Sequence, residues 1–398
     1  MASFGIFFPI LPQYGLAIGA TATHIGLSIA AFSLGQLIAG ALVGRWSDRL
    51  GRRRVLLWSL AFSVLISLLN AYCMTPWSLI FVRLLGGLAA SSFGVTFAVA
   101  SDVSAPDERA AAMGRVGAGL SLGFILGPAL GGMMAGPTAE PADFALICFT
   151  AAGLAALAFV ATLVLLPETA PTESVPGNFA RDAVPRASAA HASATLTASP
   201  TRRNPAVRRL LGITLLASAA AAMLESNFTL FATVSLGAGP RTIGFVFGAM
   251  GILSTGLQLA GAGWLSRRFG DERVMHAGLL LQAAGLGLLA AASGFPLAIA
   301  GATLIAIGFA LLNPSLASLT SFVGSRTAQG EVLGLQQASG SLGRIVGPSA
   351  SGPVYDGFGA NAPFLLGAVA MIVTLIYARR THVAAARTDA NPERSRVP

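Results

Sequence analysis

The chain has 398 residues, of which 54% are hydrophobic and only 10% charged, and its mean hydropathy is +0.73. Soluble domains carry about 25% charged residues, so this composition excludes a water-soluble globule, a disordered chain and a collagen-like fibre. The net charge of +9 comes entirely from arginine, with no lysine, and in a soluble protein it would point to nucleic acid; the placement of the arginines gives it another meaning.

Crossing a hydrocarbon layer takes about 20 apolar residues in a helix, because unpaired backbone groups are not tolerated in lipid. Charge-free runs therefore mark the spans. Residues 1–44 carry no Asp, Glu or Arg and predict two helices with a turn near Gly19–His24. Pro9, Pro12 and Gly15 crowd the first, which reads as a helix with a short start and a true start codon upstream; without a basic lead-in it does not read as a signal peptide. Val55–Met74, Trp77–Ser101, Val116–Gly136 and Phe144–Leu166 are the third to sixth spans. The stretch 167–208 is rich in Pro, Ala, Ser, Thr and Arg, lacks periodicity and predicts a flexible linker. Leu210–Leu236 and Ile243–Leu265 follow, then two spans within 274–325 around a turn at Ser293–Pro296, then Val332–Tyr355 and Ala362–Tyr377. These twelve spans form an N-terminal six-helix unit (1–166) and a C-terminal one (209–379), with a disordered tail at 380–398. Cys73 and Cys148 sit in apolar runs as small buried side chains, and no disulfide is indicated.

With both termini in the cytoplasm, 22 of the 25 arginines fall on the cytoplasmic side, Arg241 alone on the other, and Arg83 and Arg344 within spans. Such an asymmetry is what the positive-inside rule produces, so the basic charge needs no nucleic-acid partner.

The chain also repeats itself. Gly44, Arg49, Gly51 and Arg54 recur as Gly263, Arg268, Gly270 and Arg273, each 219 residues later, and Gly123-x-x-x-Gly127-Pro128 recurs as Gly343-x-x-x-Gly347-Pro348 at an offset of 220. Two matches at nearly one offset indicate a duplicated six-helix unit, an architecture of transporters. On these residues the sequence resembles the major facilitator superfamily, and within it the twelve-span proton-driven drug antiporters. The loop from Gly44 to Arg54 is similar to the family's signature between the second and third helices. Gly123, Gly127, Pro128, Gly131 and Gly132 resemble its antiporter motif, Arg83-x-x-x-Gly87 resembles the motif of the fourth helix with Gly86 at the usual Gln position, and Pro9-Ile-Leu-Pro12 resembles the end of the first helix in tetracycline-type exporters. The resemblance implies an all-α fold of two pseudo-symmetric six-helix bundles. It also implies that Asp48, Arg49 and Arg52, with Asp102 in reach, latch a cytoplasmic gate, and that Arg83 takes part in proton transfer. The acidic residue that tetracycline-type relatives carry in the first helix, a turn or more before the first proline, would fall upstream of residue 1, so either the main proton carrier lies in a longer N-terminus or Glu225 is the leading candidate.

Read from the residues, Gly44 and Gly51 permit a close, sharp turn, and Asp48 beside Arg49 and Arg52 offers a carboxylate–guanidinium latch, unless these arginines only set topology as Arg53 and Arg54 do. Gly123, Gly127 and Gly131 share one helical face and predict a tight seam between the halves, with Pro128 permitting a kink. A charge inside a span costs about 2.5–3.5 kcal/mol on insertion scales, which singles out Arg83, Glu225 and Arg344. Glu225 could take up and release a proton in competition with a cationic substrate, or serve as a structural hydrogen-bond partner, or sit at an interface. Arg83 could equally be a snorkelling or helix-pairing residue, and Arg344 could balance Glu225 or bind an anionic group. Gln258, Asn313, Gln336, Gln337 and Asn227 are the candidate substrate contacts. The four histidines form no metal spacing and no phosphate-binding loop is present, so the expected energy source is the proton gradient, with no cofactor. The expectation is a monomeric multi-pass protein of a bacterial inner membrane that exports small lipophilic molecules against protons and is not an enzyme. A metabolite, sugar or siderophore exporter is the alternative, and a channel or intramembrane enzyme the reading from another class.

Overall fold

A computed structural model describes residues 2–90, 93–104, 108–135, 141–168, 204–323 and 329–380. The predicted linker and tail lie almost wholly outside these residues. The regular structure of the described residues is all helical, with no strand among them. The first span is broken: α1 (Ala2–Gly5) and α2 (Leu11–Ala17) flank turns over residues 6–10, within which Pro9 lacks a backbone donor. Then come α3 (Ala22–Leu50), α4 (Arg52–Asn70), α5 (Pro76–Ala90), α6 (Phe93–Asp102), α7 (Arg109–Met134) and α8 (Pro141–Leu165). The second half comprises α9 (Pro205–Leu236), α10 (Pro240–Leu257), a π-helical turn at Gln258–Ala262, α11 (Gly263–Phe269), α12 (Asp271–Ala290), α13 (Phe295–Val323), α14 (Gln329–Phe358) and α15 (Ala362–Arg380).

Ten of these segments are long and apolar enough to cross a membrane, with α5 and α6 counted as one span. The two other predicted spans fall short of that measure for visible reasons: the first is interrupted, and α14 carries Gln336, Gln337, Arg344, Pro348 and Pro353. The helices overrun the predicted ends. The stretch from Gly44 to Leu50 is a continuation of α3 and not a loop, because a helix does not stop where the hydrocarbon does. Gly44 is therefore mid-helix, which corrects its expected place at the turn. The whole reversal falls on Gly51, at φ +103°, and its repeat Gly270, at φ +86°, makes the same left-handed turn between α11 and α12. Both cysteines are free and buried.

Each half has its own packed interior. In the second half α9, α12, α13 and α15 bury Leu210, Phe231, Leu286 and Phe364; in the first, Tyr14 stacks on Phe144 at 3.7 Å and donates its hydroxyl to the Cys73 carbonyl at 2.6 Å.

Candidate transport site and the seam between the halves

The glycine stripe of α7 does not form the seam as expected. A Cβ on Gly127 would lie 2.8 Å from the Gly5 Cα, and one on Gly131 would run into the Ile6 carbonyl oxygen, while one on Gly5 would lie 3.5 Å from the Gly123 carbonyl. These glycines hold the broken first span against α7 inside the first half. Gly343 and Gly347 of α14 do the same for α9, against the carbonyls of Leu215 and Ala219. The seam instead runs one residue further round. Gly132 abuts Gly244 of α10, where an added Cβ would come within 2.8 Å, and Gly26 of α3 lies directly against the Pro348 carbonyl of α14. Both contacts lie toward the arginine-poor end of the helices.

Glu225 lies on α9 just short of this seam. One and two turns further along the same helical face, Thr229 donates to the Phe8 carbonyl at 3.3 Å and Thr233 accepts from Gln13 Nε2 at 2.9 Å. Residues four apart share a face, so Glu225 is turned toward the first half and not toward lipid. It is half-buried, and Arg344 on the adjacent α14 is the cation whose field reaches it, without a direct ion pair among the described residues. Arg344 itself donates to Ser341 Oγ at 3.4 Å.

The first half holds a buried arginine in an aromatic cage. Arg83 is 5% exposed, and its guanidinium carbon lies 4.9 Å from the Phe32 ring centre, 5.6 Å from Phe4 and 5.9 Å from Phe7. Its Nε has no hydrogen-bond partner among the described residues. Gly87 explains the placement: an added Cβ would collide with the Phe32 carbonyl, so only glycine lets α5 approach α3 closely enough to set Arg83, one turn away, over that ring. From the cage an aromatic strip crosses the seam. Phe4 stacks on Phe32 at 4.4 Å and meets Phe8 edge-on at 5.2 Å; Phe8 lies 6.2 Å from Phe247 of α10, which meets Phe228 of α9 at 5.5 Å. Phe4, Phe8, Phe32 and Phe247 carry no sequence signal, since a phenylalanine facing an interior path is indistinguishable from one in a core.

The polar candidates do not converge. Asn227 is 1% exposed and spends its amide on the Met223 carbonyl and Ser226 Oγ, both at 2.8 Å, which corrects its assignment as a substrate contact. It belongs to the α9–α14 packing, where Ser226 meets Ser351 at 3.1 Å. Gln258 donates to Ser254 Oγ at 3.0 Å at the start of the π-helical turn. Asn313 and Gln337 are exposed on α13 and α14, and Gln336 is half-buried.

At the arginine-rich end, Arg52 Nε donates to Asp102 Oδ2 at 3.0 Å and Arg52 Nη1 to Ser47 Oγ at 3.1 Å, so two of the expected latch residues are brought together. The Asp48 side chain lies outside the described residues, and Arg49 is exposed. Arg53 does more than set topology. It donates to the Leu163 carbonyl at 2.6 Å, and its backbone N–H donates to Glu168 at 3.3 Å, tying the Gly51 turn to the end of α8. The Arg52–Asp102 pair is partly exposed and such pairs contribute about 0–1 kcal/mol, so Asp102→Asn is expected to shift a conformational balance at most about fivefold. A slower turnover with an unchanged melting temperature is the expected outcome, checked by transport assay and thermal unfolding.

Among the described residues no group of three His, Cys, Asp or Glu could hold a metal ion. Two duplicated helical units meeting at glycine seams, with isolated charges within their apolar spans, define a membrane transporter. The chain matches the Major Facilitator Superfamily over residues 1–260 and 210–397, and it belongs to that family. It is 28% identical over 391 residues to Multidrug resistance protein 2 of Bacillus subtilis (strain 168), covering 96% of this chain and 93% of that one. It is likewise 28% identical over 348 residues to Tetracycline resistance protein, class D, of Salmonella ordonez, covering 86% and 84%. Among solved structures it superimposes on the nucleoside transporter NupG with a TM-score of 0.73 at 16% identity, over 95% of this chain and 95% of that one.

Proposed function

We propose that this protein exports small lipophilic compounds from a bacterial cell in exchange for protons, by alternating access across the inner membrane, with both termini cytoplasmic. The position of Glu225 carries this reading: an ionisable group on the surface of the second half that the first half covers. A site that a proton and a cationic or polar substrate compete for, on an interface that opens and closes, couples the two flows. The proton favours one orientation of the halves and the substrate the other, and the difference in affinity sets the direction. The aromatic strip beside it suits flat apolar bodies, which gain burial without specific hydrogen bonds. The names of the two relatives, multidrug and tetracycline resistance, support a lipophilic cargo. The energy source is the proton gradient, no cofactor takes part, and the functional unit is one chain.

Inverted membrane vesicles containing the protein test this. A panel of lipophilic cations and tetracycline-like compounds is expected to accumulate in them when a proton gradient is imposed, and accumulation should stop when the gradient is collapsed. Accumulation that persists without any gradient would overturn the coupling.

A further inference from the structure

The last turn of α14 reaches across the seam. Asp356 Oδ1 accepts from the backbone N–H of Ala22 at 3.1 Å, and Oδ2 accepts from the N–H of Thr23 at 2.9 Å and from its hydroxyl at 2.5 Å. Ala22 and Thr23 are the first two residues of α3, whose N–H groups have no partner within their own helix. Their satisfaction comes from a carboxylate more than 330 residues away, in the other half of the molecule. The helix start supplies partial positive charge and Asp356 supplies negative charge, so the contact is favourable in field as well as in geometry.

The surrounding packing makes this a contact between bodies and not a local cap. A Cβ on Gly352, one turn before Asp356, would lie 2.6 Å from the Thr23 Cα, so α14 and α3 touch backbone to backbone here. The two seams are related by the internal repeat: Pro348, Gly352 and Gly26 correspond to Pro128, Gly132 and Gly244, at offsets of 220, 220 and 218 residues. The carboxylate breaks that symmetry. In the sequence, the residue 220 positions before Asp356 is Gly136, and the residue 218 positions after Ala22 is Pro240, which has no N–H to donate.

We propose that Asp356 is a positioning residue for transport: by capping α3 from the opposite half it holds the arginine-poor end shut, and breaking its three hydrogen bonds is part of every opening on that side. The ionised group suits the task. Burial on its own would raise its pKa, but the hydrogen bonds, those from Thr23 foremost, outweigh it and hold the carboxyl below the usual carboxylate range. The neighbouring Tyr355 and His24 bring no formal negative charge to compete with it at neutral pH. The consequence for export rests on the reading above, but the contact itself can be tested without substrate or gradient.

Gln13, 7% exposed and bonded to Thr233 across the same end, provides the reporter position. In a Gln13→Cys background, labelling by a membrane-impermeant maleimide from outside the cell reports opening there, while the native buried Cys73 and Cys148 report general loosening. Asp356→Ala is expected to speed labelling of position 13 roughly tenfold, through a shift in population toward the open form. Asp356→Glu, which keeps the acceptor, should stay close to the parent, and Asp356→Asn should fall between them. Thr23→Ala, which removes one donor of the three, should give a smaller rise, and little more when added to Asp356→Ala. Unchanged labelling in Asp356→Ala and Asp356→Asn would overturn the proposal, and so would equal gains at Cys73 and Cys148, which would make the residue one of general stability. Failure of export in the vesicle assay would leave this result standing, and the reverse holds too.

Discussion

Glu225→Gln is expected to abolish gradient-driven efflux in inverted vesicles while preserving exchange of labelled for unlabelled substrate. The substitution keeps the size and hydrogen-bonding outline of the side chain but removes its proton. Glu225 makes no direct ion pair among the described residues, and Arg344 acts on it only through space, so the neutral amide leaves no newly broken partner behind. The fold should therefore survive, and a melting temperature close to the parent's is part of the expectation. What disappears is the difference between two protonation states on the surface that the first half covers, and a ligand with no such difference cannot bias an equilibrium. Exchange without net proton movement needs only the two orientations and a binding surface, both of which remain. Full gradient-driven efflux in Glu225→Gln would remove this residue from the coupling, and loss of exchange as well would make it a substrate contact first.

Ten of the spans and their order were legible because the charge-free runs are about one or two bilayers long, and the duplication was legible because Gly51 and Gly270 are the same turn written twice. Span ends were less so: α3 runs to Leu50 past Arg45 and Asp48, since charged residues continue a helix comfortably once it has left the hydrocarbon. The face of each helix was the hardest to read. These helices are apolar nearly all the way round, so periodicity does not separate lipid, core and cavity. The stripe at Gly123, Gly127 and Gly131 was visible as a packing face, but whether it met the other half or its own was not; the seam proved to lie at Gly132, one residue on. Asn227 was polar, mid-span and persuasive, yet its amide is satisfied within its own helix. Asp356 carries no sequence signal for the opposite reason. An acid near a helix end is unremarked in sequence, and its meaning comes from a helix start more than 330 residues earlier.

The glycines separate the rigid from the moving contacts, and two alanine substitutions are expected to show it. In Gly87→Ala the new methyl would collide with the Phe32 carbonyl, and in Gly26→Ala with the Pro348 carbonyl; both obstacles are backbone, so something must shift. Overpacking of this kind costs about 1–3 kcal/mol. For Gly87 the clash is between α3 and α5 of one half, which stay together in every state. The cost then falls on the fold: a lower melting temperature, with Phe32 displaced from Arg83 as a secondary loss. For Gly26 the clash is between α3 and α14, which part whenever the arginine-poor end opens. The same energy then penalises only the closed arrangement, and about 1–3 kcal/mol of bias corresponds to roughly a 5–150-fold change in population. Gly26→Ala should thus label rapidly at Gln13→Cys with little loss of thermal stability, while Gly87→Ala should melt early with labelling near the parent's. If Gly26→Ala instead melts as early as Gly87→Ala and labels no faster, the two halves do not separate along this seam, and alternating access would have to break the structure elsewhere.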